Sequence, residues 1–108
     1  MDIYVTVGKA HYGEIYYGDI NAPDWRAPCT LGQAGGRHYK SEGDKTTPLG
    51  RFLLRTLYYR PDRWEKPQTA FAAHAITPQC GWSDDVHDPA YNQYVSLPHD
   101  FSHEKLWR

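Results

Sequence analysis

Two cysteines, six histidines and a run of aspartates are the residues of this chain best suited to chemistry. A cysteine nucleophile needs its thiol pKa lowered by a neighbouring imidazole or a helix N-terminus. Cys29 lies between Pro28 and Thr30 in an extended stretch, the setting of a small packed apolar side chain. Cys80 precedes Gly81 and Trp82 in a segment that reads as a loop, and is the better placed of the two. Neither has a visible His and oxyanion-donor pattern, so the inert-thiol reading outweighs the nucleophile. Two cysteines are too few for a disulfide framework and neither sits in a CxxC pair. Free thiols are expected, with a single disulfide as the alternative.

The sequence "DDVHDP" places Asp84, Asp85 and Asp88 around His87, which suggests a hard-cation site. A twelve-residue calcium loop would want a glycine at its sixth position and a glutamate at its twelfth, and neither is there. Loop carboxylates capping turns explain the cluster more simply. His99 and His103 are four apart and would share a face if this segment were helical, a spacing that zinc sites use. A zinc-hydrolase motif would follow the first His with Glu, whereas Asp100 follows here. No cofactor is expected. The aromatic surplus, nine Tyr and four Trp, either fills a thin core or lines a groove for a sugar chain through Trp25, Trp64, Trp82 and Trp107.

These residues must be positioned by strands and loops. "IYVTV" at 3–7 alternates as a half-buried strand, "GKAHYG" offers a turn, and "EIYYG" returns, so residues 3–18 read as a hairpin. "APCTLG" predicts a short strand, and 51–59 predicts the clearest one, with Phe52, Leu54, Thr56 and Tyr58 on one face. "TAFAAHAIT" is expected as a strand, "PQCGWSDDVHDPAYNQ" as a long acidic loop, "YVSLP" as a short strand and "HDFSHEKLWR" as a helical turn. The sum is a mostly-β single domain, residues 1–108, with long loops.

A chain of 108 residues fits one domain with a modest core. Its net charge of −1 argues against a nucleic-acid partner, which would draw a basic excess. No apolar run reaches the roughly 20 residues of a membrane span, so no membrane association is expected. The N-terminus lacks the basic-then-apolar pattern of a signal peptide. The cytoplasm is therefore the default compartment, and the periplasm the expectation if a leader has been removed.

Three collinear segments carry a further signal. The first holds Cys29, Leu31 and Gly32, then Lys40, Glu42, Gly43 and Asp44, then Thr47, Pro48, Gly50 and Phe52, and then Tyr59, Arg60, Asp62 and Arg63. The second holds Gly81, Trp82, Asp84, Asp85, Tyr91 and Asn92, and the third Ser102, His103, Glu104, Leu106, Trp107 and Arg108. Together they resemble the N-terminal portion of the L,D-transpeptidase catalytic domain, in a subgroup of small bacterial proteins. One departure is "DDVHDP", where His87 stands in a stretch that the family makes shorter or Pro-rich.

The resemblance implies a β-rich scaffold, incomplete at its C-terminus, around a groove for a peptidoglycan stem peptide or cell-wall glycan. It implies that Thr47, Pro48 and Gly50 form a scaffold turn rather than the site itself. Trp82, Asp84, Asp85 and Tyr91 are the expected substrate-binding residues. The family's chemistry is acyl transfer by a cysteine nucleophile that a histidine deprotonates. Its His-Gly segment and its Ser/Thr-x-Gly-Cys motif lie downstream of the matched region. No catalytic residue is therefore expected in this chain, which should be inactive alone; a non-catalytic wall-binding or partner-binding module is the alternative. An oligomer, or a complex with a completing chain, is also expected.

Overall fold

A computed structural model describes residues 2–12 and 15–108, the side chains of residues 9–12 and 15 excepted. The chain divides into two compact units, Met1–Arg51 and Phe52–Arg108. The described residues form strands and loops and contain no helix.

In the first unit, β1 (Tyr4–Tyr12), β2 (Ile15–Ala22) and β3 (Trp25–Thr30) make an antiparallel sheet in that order. The hairpin is present, but β1 continues through Gly8–Tyr12, where a turn was expected. A register irregularity between Val7 and His11 absorbs these residues within the strand, as a bulge does. Residues 13–14 lie outside the described residues. Pro28 falls on β3, the edge strand, where its missing N–H costs no ladder bond on the open side.

The rest of this unit is a knot around one carboxylate. Asp44 accepts hydrogen bonds from Lys40 Nζ at 2.8 Å, Ser41 N at 2.8 Å, Thr46 N at 2.9 Å and Thr46 Oγ1 at 2.7 Å. The Lys40 ammonium and the Thr46 hydroxyl hold its carboxyl well below the usual carboxylate range. The knot aligns β4 (Gly36–Arg37) in parallel with β5 (Thr47–Pro48). Thr47 Oγ1 accepts the Gly32 amide at 2.7 Å. A Cβ on Gly32 would sit 2.5 Å from the Lys45 carbonyl oxygen, so only glycine admits this approach. Gly50, at φ 147°, occupies backbone space that side chains resist. Where a scaffold turn was expected, Thr47 and Pro48 form the short strand β5, and the chain bends at Gly50 because β5 pairs with β4 and so is drawn into a ladder.

In the second unit, β6 (Thr56–Tyr59) pairs in parallel with β7 (Ala72–Ala75). The expected strand over 51–59 is shorter, because its partner offers only Ala72 to Ala75 and leaves residues 51–55 without a ladder. Phe52, Leu53 and Leu54 are exposed there. The third sheet runs β10 (His103–Lys105), β8 (Cys80–Ser83), β9 (Tyr94–Ser96), all antiparallel.

Two expectations are corrected by this sheet. The acidic loop begins only after Ser83, and 103–105 is a strand rather than a helical turn. So short a segment gains its backbone bonds from β8, whereas an isolated helical turn must nucleate unaided. Among the described residues, the buried apolar side chains Ile76, Cys80 and Val95 all belong to this unit.

Candidate functional site

Alternation along β8 gives its sheet two chemically different faces. Cys80 and Trp82 share one, and Trp82 pairs with Tyr94 on β9. Gly81 and Ser83 share the other, paired with Lys105 and His103 on β10.

On the first face Cys80 lines a cavity of about 240 Å³ together with Tyr58, His74, Ala75, Ile76 and Tyr94. Tyr58 stacks on Tyr94 with planes 4° apart and on His74, and Trp82 meets it edge-on at 6.1 Å. Thr77–Cys80 is a turn with Pro78 at its second position, closed by the Cys80 amide donating to the Thr77 carbonyl at 3.0 Å. That turn brings the Thr77 amide to 3.2 Å and its hydroxyl to 3.5 Å from Cys80 Sγ. The Tyr94 hydroxyl lies 3.3 Å from the same sulfur. Burial pushes the thiol up, but the hydroxyls of Thr77 and Tyr94, with the Thr77 amide, outweigh it and hold the thiol below its ordinary value. Cys80 is therefore a strand residue, 5% exposed, rather than the loop residue expected. Both cysteines are free.

On the second face a carboxylate again collects donors. Asp88 Oδ2 accepts from Ser83 Oγ at 2.5 Å and lies 2.6 Å from His99 Nε2, and Asp88 Oδ1 accepts the Ala90 amide at 2.8 Å. Burial raises the Asp88 carboxyl, while the bonds from Ser83, His99 and Ala90 bring it below the usual range. The order Ser–Asp–His is not that of a nucleophile relay, in which the imidazole stands between the other two. Ser83, 1% exposed, is locked on the carboxylate. His103 Nδ1 donates to the Phe101 carbonyl at 2.7 Å, and its ring meets His99 edge-on at 5.9 Å.

The four expected substrate-binding residues lie at one end of this sheet. Trp82 donates its indole N–H to Asn92 Oδ1 at 3.0 Å. Asp84, Asp85 and Tyr91 belong to the loop 84–92, which the Asn92 amide closes by donating to the Ser83 carbonyl. Asp85 caps the His87 amide at 2.9 Å, and Asp88 receives the Ser83 hydroxyl, so these two serve the loop's own geometry. Asp84 Oδ1 is buried and has no hydrogen-bond partner. Among the described residues no group of three or more His, Cys, Asp or Glu side chains is arranged to hold a metal ion.

Thr77, Ser83, Tyr94 and the His99–Asp88 contact were missed by sequence reasoning. Only the first left a signal, the Thr-Pro-x-Cys turn. Of the four tryptophans, Trp107 lies under the Arg60 guanidinium at 3.7 Å, and Trp82 is engaged with Tyr58. That Arg60 contact joins the Tyr-Arg-x-Asp-Arg segment to the Leu-Trp-Arg segment, and Asp62 grips the same guanidinium with both oxygens at 2.7–2.8 Å.

Residues 2–105 match the YkuD family, the L,D-transpeptidase catalytic domain. This chain belongs to that family. No curated protein and no solved structure matches it. Within this YkuD chain, the residues that carried the resemblance have structural duties: Asp44 ties the first unit's knot, Thr47 holds Gly32, and Arg60 stacks on Trp107.

Proposed function

We propose that this chain supplies scaffold and substrate-facing loops for L,D-transpeptidase chemistry on peptidoglycan stem peptides, and carries no acyl-transfer activity itself. The family match over 2–105 supports the first part. Family membership brings a cell-wall substrate, and loop 84–92 is the assigned contact, with Trp82 at its foot and Asp84, Asp85 and Tyr91 along it.

The state of Cys80 carries the second part. Its sulfur is served by Thr77 and Tyr94, and its hydrogen-bond partners among the described residues include no imidazole. Acyl transfer needs a base to take the thiol proton and an open path to the carbonyl. Cys80 is 5% exposed, and its sulfur is bonded to hydroxyls and an amide rather than to a base. Its preceding residues, Thr77-Pro78-Gln79, also lack the glycine of a Ser/Thr-x-Gly-Cys motif.

Incubation with a stem tetrapeptide followed by intact-mass analysis tests this. An unmodified mass is expected. A stable acyl adduct that disappears in Cys80→Ser makes Cys80 the nucleophile and overturns the proposal.

A second reading is a non-catalytic wall-binding or partner-binding module, favoured by the exposure of Trp25 (48%) and Trp64 (72%). Co-sedimentation with insoluble peptidoglycan that survives removal of the stem peptides supports glycan binding over stem recognition. Self-association belongs to either reading. Phe52, Leu53 and Leu54 form a contiguous exposed apolar run, a surface that favours contact with a second copy. Light scattering at micromolar concentration is expected to report more than a monomer.

A further inference from the structure

A groove of about 470 Å³ opens on the second face of the β10–β8–β9 sheet, lined among others by Gln79, Leu97, Pro98, His99, His103 and Lys105. Its polar wall is made of imidazoles, an ammonium and an amide, and no acidic side chain is among the residues lining it. Asp88, which touches the lining residue His99, is engaged by Ser83, Ala90 and His99.

The inner partners settle which ring nitrogens carry protons. Asp88 is held ionised and accepts only, so His99 Nε2 at 2.6 Å is the donor. The Phe101 carbonyl likewise accepts only, so His103 Nδ1 is protonated. His99 Nδ1 and His103 Nε2 remain for a ligand. Each is a lone pair while its ring is neutral and becomes a donor when the ring takes a second proton. Lys105 follows two residues after His103 on the same strand face and brings an ammonium beside the rings. Asp88, from the β8–β9 loop, touches His99, and the two rings meet each other; Asp100 adjoins His99 in the chain, and Glu104 lies between His103 and Lys105 on the opposite strand face.

We propose that this groove binds the carboxylate of a peptide, terminal or side-chain, between Lys105 and the two imidazoles. Leu97 and Pro98 supply an apolar floor beside them for the peptide's aliphatic part. The inference rests on the peptide-substrate reading above only for the source of the carboxylate, since a stem peptide presents several. Binding is lost near pH about 4, where the ligand's own carboxylate protonates.

The test is a titration of the full chain followed by NMR of its histidine rings, with succinate as the first probe. Succinate is expected to move the His99 and His103 resonances as it binds. Lys105→Ala, an exposed substitution, is expected to weaken it about tenfold, the worth of one charge-assisted hydrogen bond. Unmoved rings, unchanged affinity in Lys105→Ala, or inorganic phosphate binding as tightly as succinate each overturns the proposal. A stem tetrapeptide and its fully amidated form are the second pair of probes. Succinate binding with no advantage for the free-acid tetrapeptide leaves the groove standing and counts against the peptidoglycan reading.

Discussion

Asp44 and Asp88 solve the same problem in two units of the chain. Each is a carboxylate held below its usual range by three or more donors. The donors to Asp44 come from Lys40, Ser41 and Thr46, all within four residues. The donors to Asp88 come from Ala90 two residues away, Ser83 five away and His99 eleven away. The first carboxylate closes a loop on itself. The second joins the end of β8, the acidic loop and the segment before β10. A local knot stabilises its own turn, whereas a junction is felt by every element it joins, and its outer partner, His99, is left facing a groove.

The largest expected effect follows from that difference. Asp88→Ala leaves Ser83 Oγ and His99 Nε2 without their acceptor, and Ser83 is buried. It should lower the denaturant midpoint more than Asp44→Ala, even though Asp44 collects more bonds. Equal midpoints would dissolve the distinction between junction and knot.

Ser83→Ala comes next, with an expected loss of about 1.5–3 kcal/mol for a buried hydrogen bond to a charged group. It should also move the His99 ring resonances, because both side chains share Asp88 Oδ2. Thr46→Val removes one hydroxyl donor from Asp44 and is expected to cost about 1 kcal/mol. Its signature is local: faster amide exchange in residues 38–47, with strands β8–β10 unaffected.

Acid separates the two carboxylates in the same way. Both folded-state values lie below the unfolded one near about 3.9, so both contributions are complete above that pH and vanish as pH falls through the folded value. Asp44 is held the further down. On acidification, amide protection around 83–99 should therefore be lost before protection around 40–47. The reverse order would mean that the Asp88 junction is the better stabilised of the two.

Legibility followed the same division between local and distant. Gly-Asp-Lys-Thr-Thr-Pro-x-Gly reads as a turn because its donors, acceptor and backbone constraints lie within one short run. The hairpin of β1 and β2 was readable from alternation, although the irregularity after Val7 hid its length. The strands β8 and β10 were not readable. Three or four residues carry little period, and what makes them strands is each other, twenty residues apart. His99 and His103 suggested a shared helix face by spacing alone, whereas their rings meet edge to face without a helix. The family motifs survived because they are residue identities, and the structure shows their work in Asp44, Thr47 and Arg60.

Cys80 combines both kinds of donor on one atom, and so sharpens the comparison at the smallest scale. Thr77 reaches the sulfur through a turn three residues back, while Tyr94 reaches it from β9, fourteen residues on. Burial alone would raise the thiol's pKa, so the lowered value depends on these bonds. In a Cys29→Ser background, the thiolate absorbance should titrate at higher pH in both Thr77→Val and Tyr94→Phe. The rise should be larger for Thr77→Val, whose hydroxyl has the greater effect on the sulfur, even though its amide still donates. Neither change should cost more than about 1 kcal/mol of stability, because a neutral donor is lost from a weak acceptor. An equal or larger rise for Tyr94→Phe would show that, at a buried sulfur, a donor set by sheet pairing outweighs one set by a turn. An unmoved titration in both would mean that the thiol owes its value to neither.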